Sequence, residues 1–154
     1  MHRSNLLFPF LALTLLLASC QPATPPPPLT ISAGTEFTLA PGQSAILADA
    51  GLTLTLIAVS NDARCPSKIE CAASGPVTLT VSTQKGSGEA VEFTLQTFTS
   101  NNGQRPTMEF EGIQDRVMFE GYQVKITSVL PYPAKFMSEI KASDYRVGFL
   151  ISLE

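Results

Sequence analysis

Val77-Thr78-Leu79-Thr80-Val81-Ser82 and Val91-Glu92-Phe93-Thr94-Leu95-Gln96, separated by Lys85-Gly86-Ser87-Gly88, decide the fold class of this chain. In both runs every second residue is apolar and the residues between are polar. Side chains of a strand alternate across its sheet, so each run buries one face and wets the other. The glycines between them suit a tight turn, and the two runs read as an antiparallel hairpin. A helix would space its apolar residues by three and four. No long stretch of the chain does so.

The same period recurs outward from the hairpin. Upstream, Glu36-Phe37-Thr38-Leu39 stops at Pro41-Gly42, Gln43 to Leu47 is a second short strand, and Leu52-Thr53-Leu54-Thr55-Leu56 alternates leucine with threonine. Ile57 and Val59 then continue that strand as one apolar on both faces, the mark of a central position. Downstream, Ser100-Asn101-Asn102-Gly103 is a turn, Met108-Glu109-Phe110 is expected as a short edge strand, and Val117 to Phe119 is another. Tyr122, Val124 and Ile126 alternate up to Leu130, where Pro131-Tyr132-Pro133 ends the strand. Residues 134–142 read as a helical turn or an irregular loop anchored inward by Phe136 and Ile140. Tyr145, Val147, Phe149, Ile151 and Leu153 alternate to the end. About seven to nine short strands at this spacing predict an all-β antiparallel sandwich, Ig-like or Greek-key, over residues 30–154.

Residues 1–29 read differently. Leu6 to Leu17 is an apolar run of about a dozen residues behind Arg3, too short to span a bilayer and suited to a signal peptide. It closes on Leu17-Ala18-Ser19-Cys20, which resembles the lipobox of bacterial lipoproteins. That resemblance implies removal of residues 1–19 and acylation of Cys20, hence a membrane anchor in the cell envelope, on the periplasmic or outer face. Residues 20–29, with Pro25-Pro26-Pro27-Pro28, read as a tether in extended polyproline II form, rising about 3.1 Å per residue.

Asp62-Ala63-Arg64-Cys65-Pro66 and Cys71 lie between the central strand and the hairpin. With Cys20 acylated, Cys65 and Cys71 are the two thiols left in an exported chain, and they are expected to form a disulfide. Their spacing is not the Cys-x-x-Cys of a redox pair, and a metal site would lack further ligands. Asp62 and Arg64 flank the loop, where such residues orient one another, cap turn amides or contribute to a binding site. Tyr132, Phe136 and Met137 are candidates for an exposed apolar contact patch.

The segment from Val59 to Val77 resembles a group of bacterial lipoproteins and secreted proteins with an Asp-Ser-Arg-Cys-Pro segment, a second cysteine and Val-Trp-Ala-Gly before a strand. Tyr122 to Ile126 leading to Pro131-Tyr132-Pro133, and Asp144-Tyr145-Arg146 before the last strand, continue the resemblance. This chain departs from it with Ala63 and Ala73. The resemblance implies a small β-rich envelope domain and names no activity.

Composition narrows the chemistry. The formal charge is −3, and loss of residues 1–19, which carry Arg3 and no acid, would leave −4. No basic block is present, so nucleic acid is not an expected partner. The single histidine is His2, so the mature chain would have none for acid–base, nucleophilic or zinc chemistry. The scattered acids read as a solvated face, and the methionines as core filling. The expectation is a lipid-anchored envelope module, binding or structural, with no catalytic residue, metal or cofactor. Its partners would be the membrane, through the anchor, and an envelope protein. The alternative is a small-ligand binder or a protease-inhibitor-like domain.

Overall fold

A computed structural model describes residues 26–135 and 140–154. Nine strands form two sheets: β1 (Leu29–Ile31), β2 (Glu36–Leu39), β3 (Ser44–Leu47), β4 (Leu52–Asp62), β5 (Val77–Lys85), β6 (Val91–Thr97), β7 (Arg116–Phe119), β8 (Tyr122–Leu130) and β9 (Arg146–Leu153). One sheet has the order β1-β3-β4-β5-β6, the other β2-β9-β8-β7. The two lie face to face as an all-β sandwich. The predicted hairpin is β5–β6, with Val81 opposite Phe93 and Leu79 opposite Leu95.

Alternation delivers the core directly. Leu54, Leu56, Leu79, Val81 and Leu95 from one sheet meet Val124, Ile126, Val147, Phe149 and Ile151 from the other, all fully buried. Burial of one such side chain contributes about 1.5–3 kcal/mol, so this face-to-face contact dominates the stability of the domain.

Three details depart from the sequence expectations. The sandwich is not wholly antiparallel, because β1 pairs with β3 in parallel, Leu29 opposite Ala45 and Ile31 opposite Leu47. The link at residues 32–35 carries the chain across to the second sheet, and the turn after β2 brings β3 back in the direction of β1. Next, β4 is the central strand of its sheet but Ile57 is 38% exposed. Register shifts between Leu56 and Ala58 and between Val59 and Asn61 break the alternation there and turn Ile57 outward. Finally, Met108-Glu109-Phe110 is not a strand. The edge beside β8 is continued by residues 103–105 instead, where Val129 N–H donates to Gly103 O and Arg105 N–H to Thr127 O, each at 2.8 Å. Residues 106–114 loop out from there, with the Phe110 ring tilted against Phe98 at a centroid distance of 4.7 Å.

Connection lengths give the sandwich two unlike ends. Turns at 32–35, 48–51, 86–90 and 120–121 join the strands at one, the turn end. The long connections 63–76, 98–115 and 131–145 gather at the other, the loop end. Lys85 over the Tyr122 ring, at 4.9 Å, ties the two sheets at the turn end.

Candidate functional site

The loop end is organised by one side chain. Asp62 ends β4, and its Oδ1 accepts from the Arg64 backbone N–H at 3.2 Å, a local turn of the kind aspartate makes two residues on. The Arg64 side chain folds back onto the same carboxylate, Nε to Oδ1 at 2.8 Å and Nη2 to Oδ2 at 2.6 Å. This two-pronged geometry matches the planar guanidinium to the carboxylate. Nη1 donates to Val129 O at 2.9 Å and Thr99 Oγ1 at 3.3 Å, and Nη2 also donates to Pro131 O at 2.8 Å. All five N–H donors of the guanidinium are therefore used. Arg64 is 1% exposed and ranks among the largest fully buried side chains of the protein.

Two tyrosines complete the cluster. Tyr145 donates its hydroxyl to Asp62 Oδ2 at 3.0 Å. Burial, with the Asp62 charge next to it, pushes the Tyr145 phenol up to about 12, so it stays protonated as that donor. The ring of Tyr132 lies 4.9 Å from the Arg64 guanidinium, and its hydroxyl donates to Cys65 O at 2.8 Å. Asp62 and Arg64 come from the end of one sheet, Val129 and Tyr145 from the other, and Thr99 from just past β6. The cluster is a polar clamp that closes this end of the sandwich.

The clamp sets the disulfide loop. Cys65 and Cys71 are bonded, with Cα atoms 6.0 Å apart. Ala63 N–H donates to Pro76 O at 3.1 Å and Gly75 N–H to Ala63 O at 2.8 Å, so the loop is pinched at its base. Residue 75 is glycine because a Cβ there would meet the Ala63 Cβ at 2.6 Å. On its far side, Ser67 N–H donates to Pro133 O and Lys68 N–H to Ala134 O, each at 3.0 Å. Residues 67–74 are nevertheless exposed, with Lys68, Ile69 and Glu70 around a turn in which Ile69 N–H bonds Pro66 O at 3.0 Å.

The residues singled out from sequence thus take different places. Cys65 and Cys71 form the expected staple. Asp62 and Arg64 face each other inside the protein, with no donor of the guanidinium left for a ligand. Tyr132 is half-buried and committed to Arg64 and Cys65. Cys20, Phe136 and Met137 lie outside the described residues, as do the signal-peptide stretch and the start of the tether. Thr99 and Tyr145 belong to the cluster although the sequence marks neither as a site residue; Tyr145 enters only in the Asp144-Tyr145-Arg146 stretch of the resemblance. Tyr145 reads as one more inward position of the last strand, and nothing local distinguishes Thr99.

A second polar group holds the neck of the 98–115 connection. Arg105 pairs with Asp115, and Arg116 bridges Asp115, at 3.1 Å, and Glu109. Pairing with Glu109 and Asp115 holds the Arg116 guanidinium above its ordinary range. A solvent-open cleft of about 410 Å³ runs along residues 109–116, and one of about 210 Å³ lies over the second sheet beside Arg105, Lys125 and Leu150. Among the described residues, no three His, Cys, Asp or Glu side chains come together as a metal would require. No family model, curated protein or solved structure matches the chain, so any assignment of function rests on these residues and their geometry.

Proposed function

We propose that the protein is a lipid-anchored cell-envelope module that works by binding, and that it docks on an envelope protein through the loop end. The observation that carries this reading is the rigid display of the disulfide loop. A fully buried Arg64 and the Cys65–Cys71 bond hold an exposed turn whose tip carries Ile69, 38% exposed, between Lys68 and Glu70. An apolar residue flanked in sequence by Lys68 and Glu70 on a pre-ordered loop favours recognition, because little conformational entropy is lost on binding. Leu130, at the end of β8, is a second exposed apolar residue at the loop end, 41% exposed. Anchoring rests on the lipobox-like Leu17-Ala18-Ser19-Cys20 and the proline tether behind it.

The test uses the full chain in its own envelope. A photo-cross-linking residue at position 69 should yield a defined protein adduct, and the same residue at position 153 should not. Replacing residues 131–143 by a Gly/Ser loop should abolish the adduct. Equal products from both positions would refute docking at the loop end. Separately, Cys20→Ser should move the protein from the membrane to the soluble fraction, and its retention would refute the anchor.

A further inference from the structure

The outer face of the second sheet carries a charged row that docking through the disulfide loop does not use. Glu36 and Lys125 are both register partners of Leu150, so the three stand side by side across β2, β9 and β8. Phe149 and Ile151 are buried in the core, which turns Leu150 and its row outward. The cleft of about 210 Å³ lies over this row, and Arg105, Pro106 and Thr107 also line it. Arg105 stands past β8, on the side away from Glu36, where its backbone N–H donates to Thr127 O at 2.8 Å.

The groups around this cleft are short of partners. The Arg105 side chain is only 7% exposed. Its Nε is taken by Asp115 and its Nη1 donates to Pro106 O at 2.7 Å, but Nη2 is shielded from solvent and has no acceptor. Asp115 is already shared, because its other oxygen accepts from Arg116 Nε at 3.1 Å. Folded proteins leave few buried donors in this state. Lys125, half-buried, and Glu36, exposed, make no ion pair among the described residues. Two strand spacings, about 9.5 Å, separate their backbones, with Leu150 between. With Asp115 counted, the charges here cancel in sum but stand apart, cations at one side and the Glu36 carboxylate at the other.

We propose that this cleft binds a small zwitterion, with its carboxylate on Lys125 and Arg105 Nη2, its ammonium on Glu36 and a short apolar chain over Leu150. Charge-assisted contacts of about 2.8 Å at each end leave about 4 Å between the two charged groups of the ligand, the span of a short chain. A ligand of one charge alone leaves one end of the cleft unmatched. Thr107, exposed and part of no strand, shifts to admit the carboxylate to Nη2. The site depends neither on the lipid anchor nor on docking by the disulfide loop.

Nuclear magnetic resonance titration of the full chain with γ-aminobutyrate tests this, with butyrate and butylamine as probes that each lack one of its charges. γ-Aminobutyrate should give saturable shifts at the Arg105 side-chain N–H groups and at the amides of residues 105, 107, 125 and 150. Butyrate and butylamine should each bind about tenfold more weakly, as expected for losing one hydrogen-bonded charge. Lys125→Met and Glu36→Gln should each weaken γ-aminobutyrate by a similar factor, and Glu36→Gln should leave butyrate no weaker. Both side chains lie on the solvent face, and unchanged amide shifts outside the cleft show that each variant is folded. Arg105→Lys keeps a charge beside Asp115 while removing Nη2, and it should also weaken γ-aminobutyrate. Absence of saturable shifts overturns the site. Equal binding of butyrate or butylamine overturns the zwitterion, as does binding of γ-aminobutyrate that neither Lys125→Met nor Glu36→Gln reduces.

Discussion

Arg64→Met is the most informative perturbation of the fold. Methionine roughly fills the volume but removes all five guanidinium donors, leaving the Asp62 carboxylate buried with the Tyr145 hydroxyl and one backbone N–H as partners. It also strips Val129 O and Pro131 O of their Arg64 donors. Breaking a buried ion pair from one side costs about 3–5 kcal/mol, because the surviving charge is stranded in a poorly solvated site. Against a total stability of about 5–15 kcal/mol, that is a large share. For a domain of this size it corresponds to a fall in Tm of roughly 10–20 °C. Urea unfolding of the domain, followed by tyrosine emission and far-ultraviolet circular dichroism, measures it. Asp62→Asn added to Arg64→Met should recover part of the loss, with a coupling of about 1.5–3 kcal/mol in the double-mutant cycle. If Arg64→Met costs less than about 1 kcal/mol, the pair behaves like a surface ion pair, and the clamp argument is refuted.

The same geometry sets three further outcomes. Cys65→Ser should lower stability by about 2–2.5 kcal/mol, the entropy of closing so short a loop; two reactive thiols in the oxidised wild-type domain would contradict the staple. Tyr145→Phe should cost about 1.5–3 kcal/mol through its hydrogen bond to a charged acceptor. The wild-type phenol titrates near 10 when unfolded and near 12 when folded. Its contribution is therefore complete below pH 10 and lost as pH rises from 10 to 12, and the phenylalanine variant should lack that component of the alkaline decline. Gly148→Ala should destabilise by about 1–3 kcal/mol, because its Cβ would run into Ser128 Oγ and lie 2.6 Å from Thr127 Oγ1 across the β8–β9 register shift; unchanged unfolding would mean that the two hydroxyls simply rotate away.

Strands are legible in this chain where alternation is clean. Leu52, Leu54 and Leu56, Val77, Leu79 and Val81, and Val147, Phe149 and Ile151 all point inward, because a period of two is a local property of the backbone. The loop 106–114 is not legible. Met108 and Phe110 alternate with acids as a strand would, while the edge they would occupy is taken by residues 103–105. Ile57 misleads for a different reason: a bulge shifts the alternation and leaves no mark in the local pattern.

The amino-acid sequence by itself determined the all-β class, the β5–β6 hairpin and the two cysteines that close the loop. Each depends on neighbours a few residues apart. Only the tertiary structure decided the parallel docking of β1, the gathering of three long connections at one end, and the partners of Arg64. Val129 and Pro131 lie 65 and 67 residues from Arg64, and Tyr145 lies 83 residues from Asp62. An arginine beside an aspartate reads as a surface pair in any local window. It becomes a buried clamp because two sheets, assembled by their apolar faces, bring distant carbonyls and a phenol to the one place where its five donors can be satisfied.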